Sequence, residues 1–399
     1  METSRERILT THTGSLPRSE SLLALLLRAN KAEDVAPSVL HRQLVADTDA
    51  IVRKQLEVGI DVGGDGELPR IAFHMYVKDR MTGFGGRTTR ASISDIAKFP
   101  LWANMALGHS AVDDADADDL SNTADAPAAI DRVIYDPTLA AARTELLGFA
   151  EAIARAKPIG SFTETFITAA TPGIVSMAMT RAEGNPAYAT DEEYVLAIAD
   201  ELKTEYEFVV SQGHVLQLDA PDLAMERMMM FKDQPLSAFL NRVELHIEAI
   251  NRAVAGIPQD RVRLHVCWGN YEGPHVDDVE LGDILPLLYR ANVGALSLPT
   301  ANPRHQHDWK VFRACPLPDD KLLIVGVIDV TTNYVEHPEV VADRICQFAE
   351  AVGKQRLLAS TDCGFGTTAG SVLVAEDVVW AKLESLTKGA KLATDRLFS

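Results

Sequence analysis

One pattern runs through the chain from end to end: a short apolar or alternating stretch that stops at Gly, Asp, Asn or Pro, then a stretch whose apolar residues recur at helical spacing. Eight such stretches mark strands, at Ile8 to Ser15, Ile60 to Asp65, Pro158 to Thr163, Val215 to Asp219, Val262 to Trp268, Ala295 to Leu298, Leu322 to Ile328 and Leu357 to Thr361. Between them, Ser38 to Val58, Glu192 to Ser211, Leu236 to Ala255, Asp283 to Ala291 and Pro338 to Val352 carry helical periodicity. Strict alternation of strand and helix calls for parallel pairing, since a parallel neighbour is reached only through a long crossover. Eight units suit a closed (β/α)8 TIM barrel of the α/β class better than an open doubly wound sheet, whose usual five or six strands would leave units unused. No GxGxxG follows an early strand, which weakens a dinucleotide-binding reading further. The whole of 1–399 is therefore expected to form one barrel.

A single connection breaks the rhythm. Glu67 to Lys157 is far too long for an ordinary βα loop, and "DDADADDLSNTADAPAAIDR" within it is acidic and poor in large apolar residues. This predicts an inserted flap or small subdomain, 67–157, after the second strand, equally suited to be a contact in a homo-oligomer.

Bulk properties narrow the partners. A formal charge of -19 repels phosphate backbones and anionic membrane surfaces, so neither nucleic acid nor a membrane is expected as a partner. No apolar run approaches the ~20 residues of a spanning helix, and METSRERILT lacks a signal-peptide core, which predicts a cytoplasmic chain. The cysteines, Cys267, Cys315, Cys346 and Cys363, are too few and scattered for a disulfide framework, leaving reduced thiols or metal ligands.

In a (β/α)8 barrel the chemistry sits at the carboxyl ends of the strands. Alternation in "RVRLHVCWGN" sends Val262, Leu264 and Val266 to one face, and Arg263, His265 and Cys267 inward. An H-x-C pair alone is weak, and two buried structural residues are the plainer reading. "LLASTDCGFG", however, brings Cys363 to the same rim, and an imidazole with two thiolates is a borderline-soft set suited to zinc with an open fourth position. Cys315, in a Pro-flanked loop, and Cys346, within a helix, are expected to be inert thiols.

Carboxylates stand at other strand ends. "HVLQLDAPDLAM" offers Gln217, Asp219 and Asp222. A buried carboxylate at Asp219 calls for a cation, an amine or a hydrogen-bond network, whereas Asp222 reads equally as a helix cap. "THTGSLPRS" offers His12, Ser15 and Arg18, and "GGDGELPR" offers Asp65, Glu67 and Arg70. The basic groups suit either a substrate anion or rim salt bridges. Glu164 has the same standing at the expected third strand, while His305 and His307 in "NPRHQHDW" read first as solvated loop residues.

Taken together, "HTGSLPR", "LQLDAPDLAM", "LHVCWGNYEG" and "STDCGFG" resemble the catalytic barrel of the cobalamin-independent methionine synthase family, most strongly from Val215 to Gly366. The resemblance implies a zinc-dependent thiol S-alkyltransferase acting on a small-molecule thiol and an alkyl donor, with methyl transfer to homocysteine, as in methionine biosynthesis, the default. It implies His265, Cys267 and Cys363 as zinc ligands and Asp219 in the thiol-substrate pocket, where Asp219, with Glu164, is expected to act as a catalytic group binding the thiol's amino group. His12, Ser15, Arg18, Asp65, Glu67, Gln217, Asp222 and Asp329 complete the expected substrate-binding set. Epoxyalkane:coenzyme M transferases share the cysteine and histidine pattern, so epoxide opening by a thiol is the near alternative, and Arg18 or Arg70 at the thiol's tail would favour it. A zinc-free or non-catalytic binding barrel, or a metal-free decarboxylase, stands further off. Two positions depart from the family: Pro299 stands where it places a further ligand Glu, and Thr331 where it places a His, with His337 further on. The first departure leaves three protein ligands, or recruitment of His305, His307 or Asp329.

Overall fold

The computed structural model describes residues 1–31, 33–88, 91–107 and 126–399. Ten strands occur in chain order among them: β1 Leu9–Thr10, β2 Val62–Gly64, β3 Met81–Gly85, β4 Ala128–Tyr135, β5 Glu164–Ala170, β6 Val215–Asp219, β7 Val262–His265, β8 Ala295–Leu298, β9 Leu322–Ile328 and β10 Leu357–Thr361. Eight pair in parallel in the order β1-β10-β9-β8-β7-β6-β5-β2, and a parallel bridge from Thr11 to Val62 joins the two ends. The sheet is thus the closed (β/α)8 barrel that the alternation predicts.

The barrel interior is packed in layers, as alternation requires. Leu9, Val62, Phe166, Val215, Ala295, Ile324 and Leu358 fill the layer at the amino ends of the strands. One residue pair further along, Gln217 lies opposite Arg263, and at the carboxyl ends Asp219 lies opposite His265. The outer shell is built from amphipathic helices at Pro37–Glu57, Ala140–Ala156, Asp191–Ser211, Leu236–Ala253, Leu281–Leu288, Pro338–Val352 and Glu376–Phe398. Asp191–Ser211 is entered through a capping box of Thr190 and Glu193, in which each side chain accepts from the other residue's backbone N–H. No helix among the described residues is long and apolar enough to cross a membrane.

The third barrel strand corrects the expectation. Pro158 to Thr163 is not a strand; β5 begins at Glu164. Pro158 and Gly160 disfavour pairing, whereas Thr165, Phe166, Ile167 and Thr168 form the β-branched and aromatic run that a buried strand favours. The shift carries Glu164 from the expected carboxyl end to the amino end of its strand.

Within the insertion, the backbone forms a short antiparallel pair, β3 with β4, and two short helices at Ser94–Lys98 and Pro100–Leu107. Ala140–Ala156, though inside 67–157, packs on Pro37–Glu57 as a member of the helical ring. Much of the acidic run that suggested a flap, residues 113–125 of 113–132, lies outside the described residues.

Candidate metal centre

His265 and Cys267 share the inward face of the chain at β7, and Cys363 follows β10, three strands round the barrel. Their ligand atoms all lie within 4.8 Å of one another, with His265 Nε2 3.7 Å from Cys363 Sγ. All three residues are buried. Tetrahedral coordination at zinc places ligand atoms roughly 3–4 Å apart, which these separations suit. Metal ligation needs thiolates and a neutral imidazole, and of the three residues only Cys267 is held toward that form. The Cys267 sulfur accepts a hydrogen bond from the Cys363 thiol, holding Cys267 well below the ordinary thiol range and Cys363 well above it. Burial opposes charge on His265, but its hydrogen bond to Cys267 together with the charges of Cys267 and Asp219 outweighs that and raises its pKa.

These residues line a pocket of about 120 Å³ together with Thr13, Ser15, Glu67, Asp219 and Asn270. Burial and the neighbouring Glu67 charge push Asp219 up to about 7, and burial likewise raises Glu67. Gln217 Nε2 donates to Asp219 Oδ1 at 2.7 Å, while Glu67 Oε2 has no partner among the described residues. Glycine makes this packing feasible: Gly14 has φ of +148°, and a Cβ there would stand 2.2 Å from Glu67 Oε1. Gly364 does the same for Ser15, whose Oγ would meet a Cβ at 2.0 Å and which accepts from Gly366 N–H at 3.2 Å.

Other expected site residues go elsewhere. Glu164, at the opposite end of the barrel, accepts from Arg261 Nη1 at 3.0 Å and from the backbone of Glu2. Arg18 spends its guanidinium on the carbonyls of Leu68, Gly366, Glu67 and Arg70, and Arg70 binds Glu145 and Thr168. Neither arginine lines the metal-side pocket. His12 shares a hydrogen bond with Gln55, and burial drives its pKa down to about 3. Asp222 neither faces the pocket nor caps the next helix: it is fully buried between His246 Nδ1, at 2.7 Å, and the Thr171 hydroxyl. Asp65 lines a separate groove beside Arg70 and Glu145, and burial raises its pKa to about 7. Gln217 lies wholly beneath Asp219 rather than at the pocket surface.

A second cavity, of about 560 Å³, also reaches Cys363, Gly269 and Asn270, and is lined by Trp268, Pro299, Asp329 and Thr331 among others. Asp329 is occupied by the backbone and hydroxyl groups of Thr331 and Thr332. His305 is no spare ligand. It bonds Asp278 at 2.8 Å and Asp308 at 3.1 Å, and although burial opposes the charge, these carboxylates raise its pKa to about 9. His307 is half exposed beside Asp308. Asn270 was not singled out by sequence reasoning, although the quoted "HVCWGN" contains it. Its Nδ2 donates to Gly364 O at 2.8 Å, and its Oδ1 is buried without a partner among the described residues.

Comparison with known proteins places this geometry in context. Residues 167–378 match the family described as cobalamin-independent synthase, catalytic domain. A methionine synthase from Sulfurisphaera tokodaii is 24% identical over 391 residues, 97% of this chain and 93% of that protein. A 2-hydroxypropyl-CoM lyase from Xanthobacter autotrophicus is 30% identical over 176 residues, 38% of this chain and only 45% of the lyase. The solved B12-independent methionine synthase from Shewanella sp. W3-18-1, in complex with selenomethionine, aligns over 98% of this chain and 99% of its own, at 18% identity and a TM-score of 0.68, a likeness of fold.

Proposed function

Because the chain belongs to the cobalamin-independent synthase family through its catalytic domain, we propose that it transfers an alkyl group, methyl by default, to the sulfur of a small thiol that also carries an amino group. Homocysteine is the reference acceptor, and zinc the metal. The carrying observation is one pocket that joins the His265, Cys267 and Cys363 cluster to two buried carboxylates, Glu67 and Asp219.

The donor set supports zinc, since two thiolates and an imidazole are borderline-soft and leave a fourth position open. When bound, zinc supplies the charge that lets a coordinated thiol lose its proton near neutral pH. The chain's own share is orientation and exclusion of water. Asp219, with Oδ1 tied to Gln217, and Glu67, with Oε2 unspent, accept from the acceptor's ammonium group. Ser15 and the neighbouring backbone face the rest of its tail. The second cavity meets the first at Cys363 and Asn270, which supports entry of the alkyl donor from that side.

A thiol with a sulfonate tail, as in epoxide opening, would call for a cation at the tail. Arg18 is spent on carbonyls, Arg70 holds Glu145 and Thr168, and neither lines the pocket, which instead offers carboxylates. The deciding experiment combines metal analysis of gently purified protein with a screen of amino and sulfonate thiols against methyl and epoxide donors. Stoichiometric zinc and alkylation of the amino thiol are expected. Near-zero zinc would turn the reading toward a non-catalytic barrel, and sulfonate-thiol turnover toward the lyase type.

A further inference from the structure

Beneath the site, Arg263 is a buried cation with only neutral hydrogen-bond partners among the described residues. Its Nε donates to Gln217 Oε1 at 2.8 Å, Nη1 to Thr11 Oγ1 at 3.2 Å and Nη2 to His12 O at 3.1 Å. Its guanidinium lies 3.7 Å from the centre of the Phe166 ring. The carboxylates of Asp219 and Glu164 act on it only across space, with no direct ion pair, and a buried charge held in this way is expensive, so its retention inside the barrel calls for a use. An apolar residue would fill this layer at lower cost, as Val215 and Leu358 do one layer below.

The hydrogen bonds identify that use. Arg263 has donors only, so the Gln217 amide must turn its oxygen toward the guanidinium. The amide nitrogen then points the other way, where it donates to Thr13 O and to Asp219 Oδ1. With the amide reversed, two donors would meet at Arg263 and acceptors at Thr13 and Asp219. One orientation therefore satisfies all three neighbours. The chain of contacts Arg263, Gln217, Asp219 holds one carboxylate oxygen and leaves the other for the pocket.

We propose that Arg263, acting through Gln217, is a positioning residue that presents Asp219 to the acceptor's ammonium group and so sets selectivity for amino thiols over thiols lacking the amine. This rests on the acceptor reading above. The test measures binding of homocysteine and of 4-mercaptobutanoate, its counterpart without the amine, to the full-length zinc-loaded protein by calorimetry. Gln217→Met and Arg263→Met are compared with the parent, with zinc content measured on each. Loss of a charge-assisted contact predicts about tenfold weaker homocysteine binding in both variants, with 4-mercaptobutanoate and zinc unchanged. Equal weakening of both thiols, or no change in either, would overturn the proposal. Should Arg263→Met not fold, Gln217→Met alone decides, because it leaves the cation and its other contacts in place. A parent protein that binds the two thiols equally would instead remove the acceptor reading itself.

Discussion

Asp219→Asn should make the metal-free protein more stable and the enzyme worse, with a pH signature that separates the two effects. Burial and the nearby Glu67 charge raise the Asp219 pKa from 3.8 to about 7. At about 1.4 kcal/mol per pH unit, this opposes the charged form by about 4 kcal/mol. The sign follows from proton binding. Between pH 4 and 7 the native carboxyl keeps a proton that the unfolded chain has lost, so the parent's stability falls as pH rises through this window. A neutral Asn escapes that loss. The stability gain of the variant should be near zero at pH 4, grow through pH 5 and 6, and level off above 7. Denaturant midpoints of parent and variant at pH 4.5 and 8 measure it. Homocysteine binding should weaken by ~10- to 100-fold, as for a lost hydrogen bond to a charged group. A stability difference that does not change with pH, or a variant less stable than the parent at pH 8, would refute the account of Asp219 as a carboxylate held in an unfavourable site for binding.

Cys267→Ala and Cys363→Ala should each lose both bound zinc and turnover, whereas Cys315→Ala and Cys346→Ala keep them; elemental analysis beside an activity assay checks this, and zinc retained without Cys363 would break the ligand assignment. Glu164→Gln should leave kcat/KM within about twofold and cost about 1 kcal/mol of stability, because its partners are Arg261 and the chain's amino end; a tenfold activity loss would return it to the site. Gly14→Ala, whose Cβ would stand 2.2 Å from Glu67 Oε1, should raise the acceptor KM by roughly tenfold by displacing that carboxylate; an unchanged KM would show that Glu67 does not touch the acceptor. Pro299→Glu should tighten zinc binding, measured by competition with a chelator, if the fourth position faces the end of β8; unchanged affinity would place that position elsewhere.

The barrel was legible because its signal is periodic and repeated. Each parallel strand is buried on both sides and each helix on one, so β6, β8, β9 and β10 read with their observed bounds. The third strand misled because Pro158 to Thr163 and Glu164 to Ala170 are adjacent, and both carry enough apolar or β-branched residues to pass as a strand. Only the cost of Pro and Gly in a central strand separates them. That six-residue slip put Glu164 at the wrong end of the barrel and hid Thr168, which approaches both Arg70 and Gly14. The β3–β4 pair was missed because a hairpin whose strands are 42 residues apart leaves no turn signal between them.

The site itself divides along a physical line. Residue type and strand alternation are enough to aim His265, Cys267 and Asp219 inward, because each lies on a regular strand or its direct continuation. Arg18 and His12 lie on loops and Asp222 on the single 3-10 turn Pro221–Leu223, where position along the chain says nothing about which carbonyl, histidine or amide a side chain will meet. Arg18 shows the consequence: its four backbone acceptors come from segments about 50 and 350 residues away, and no local pattern encodes them. The same distinction explains the charge of the pocket. Sequence could count acids and bases at the rim, but only the fold shows the bases consumed in holding loops together and the acids left facing the metal ligands. That imbalance, rather than the ligand cluster alone, is what favours an ammonium-bearing acceptor over a sulfonate.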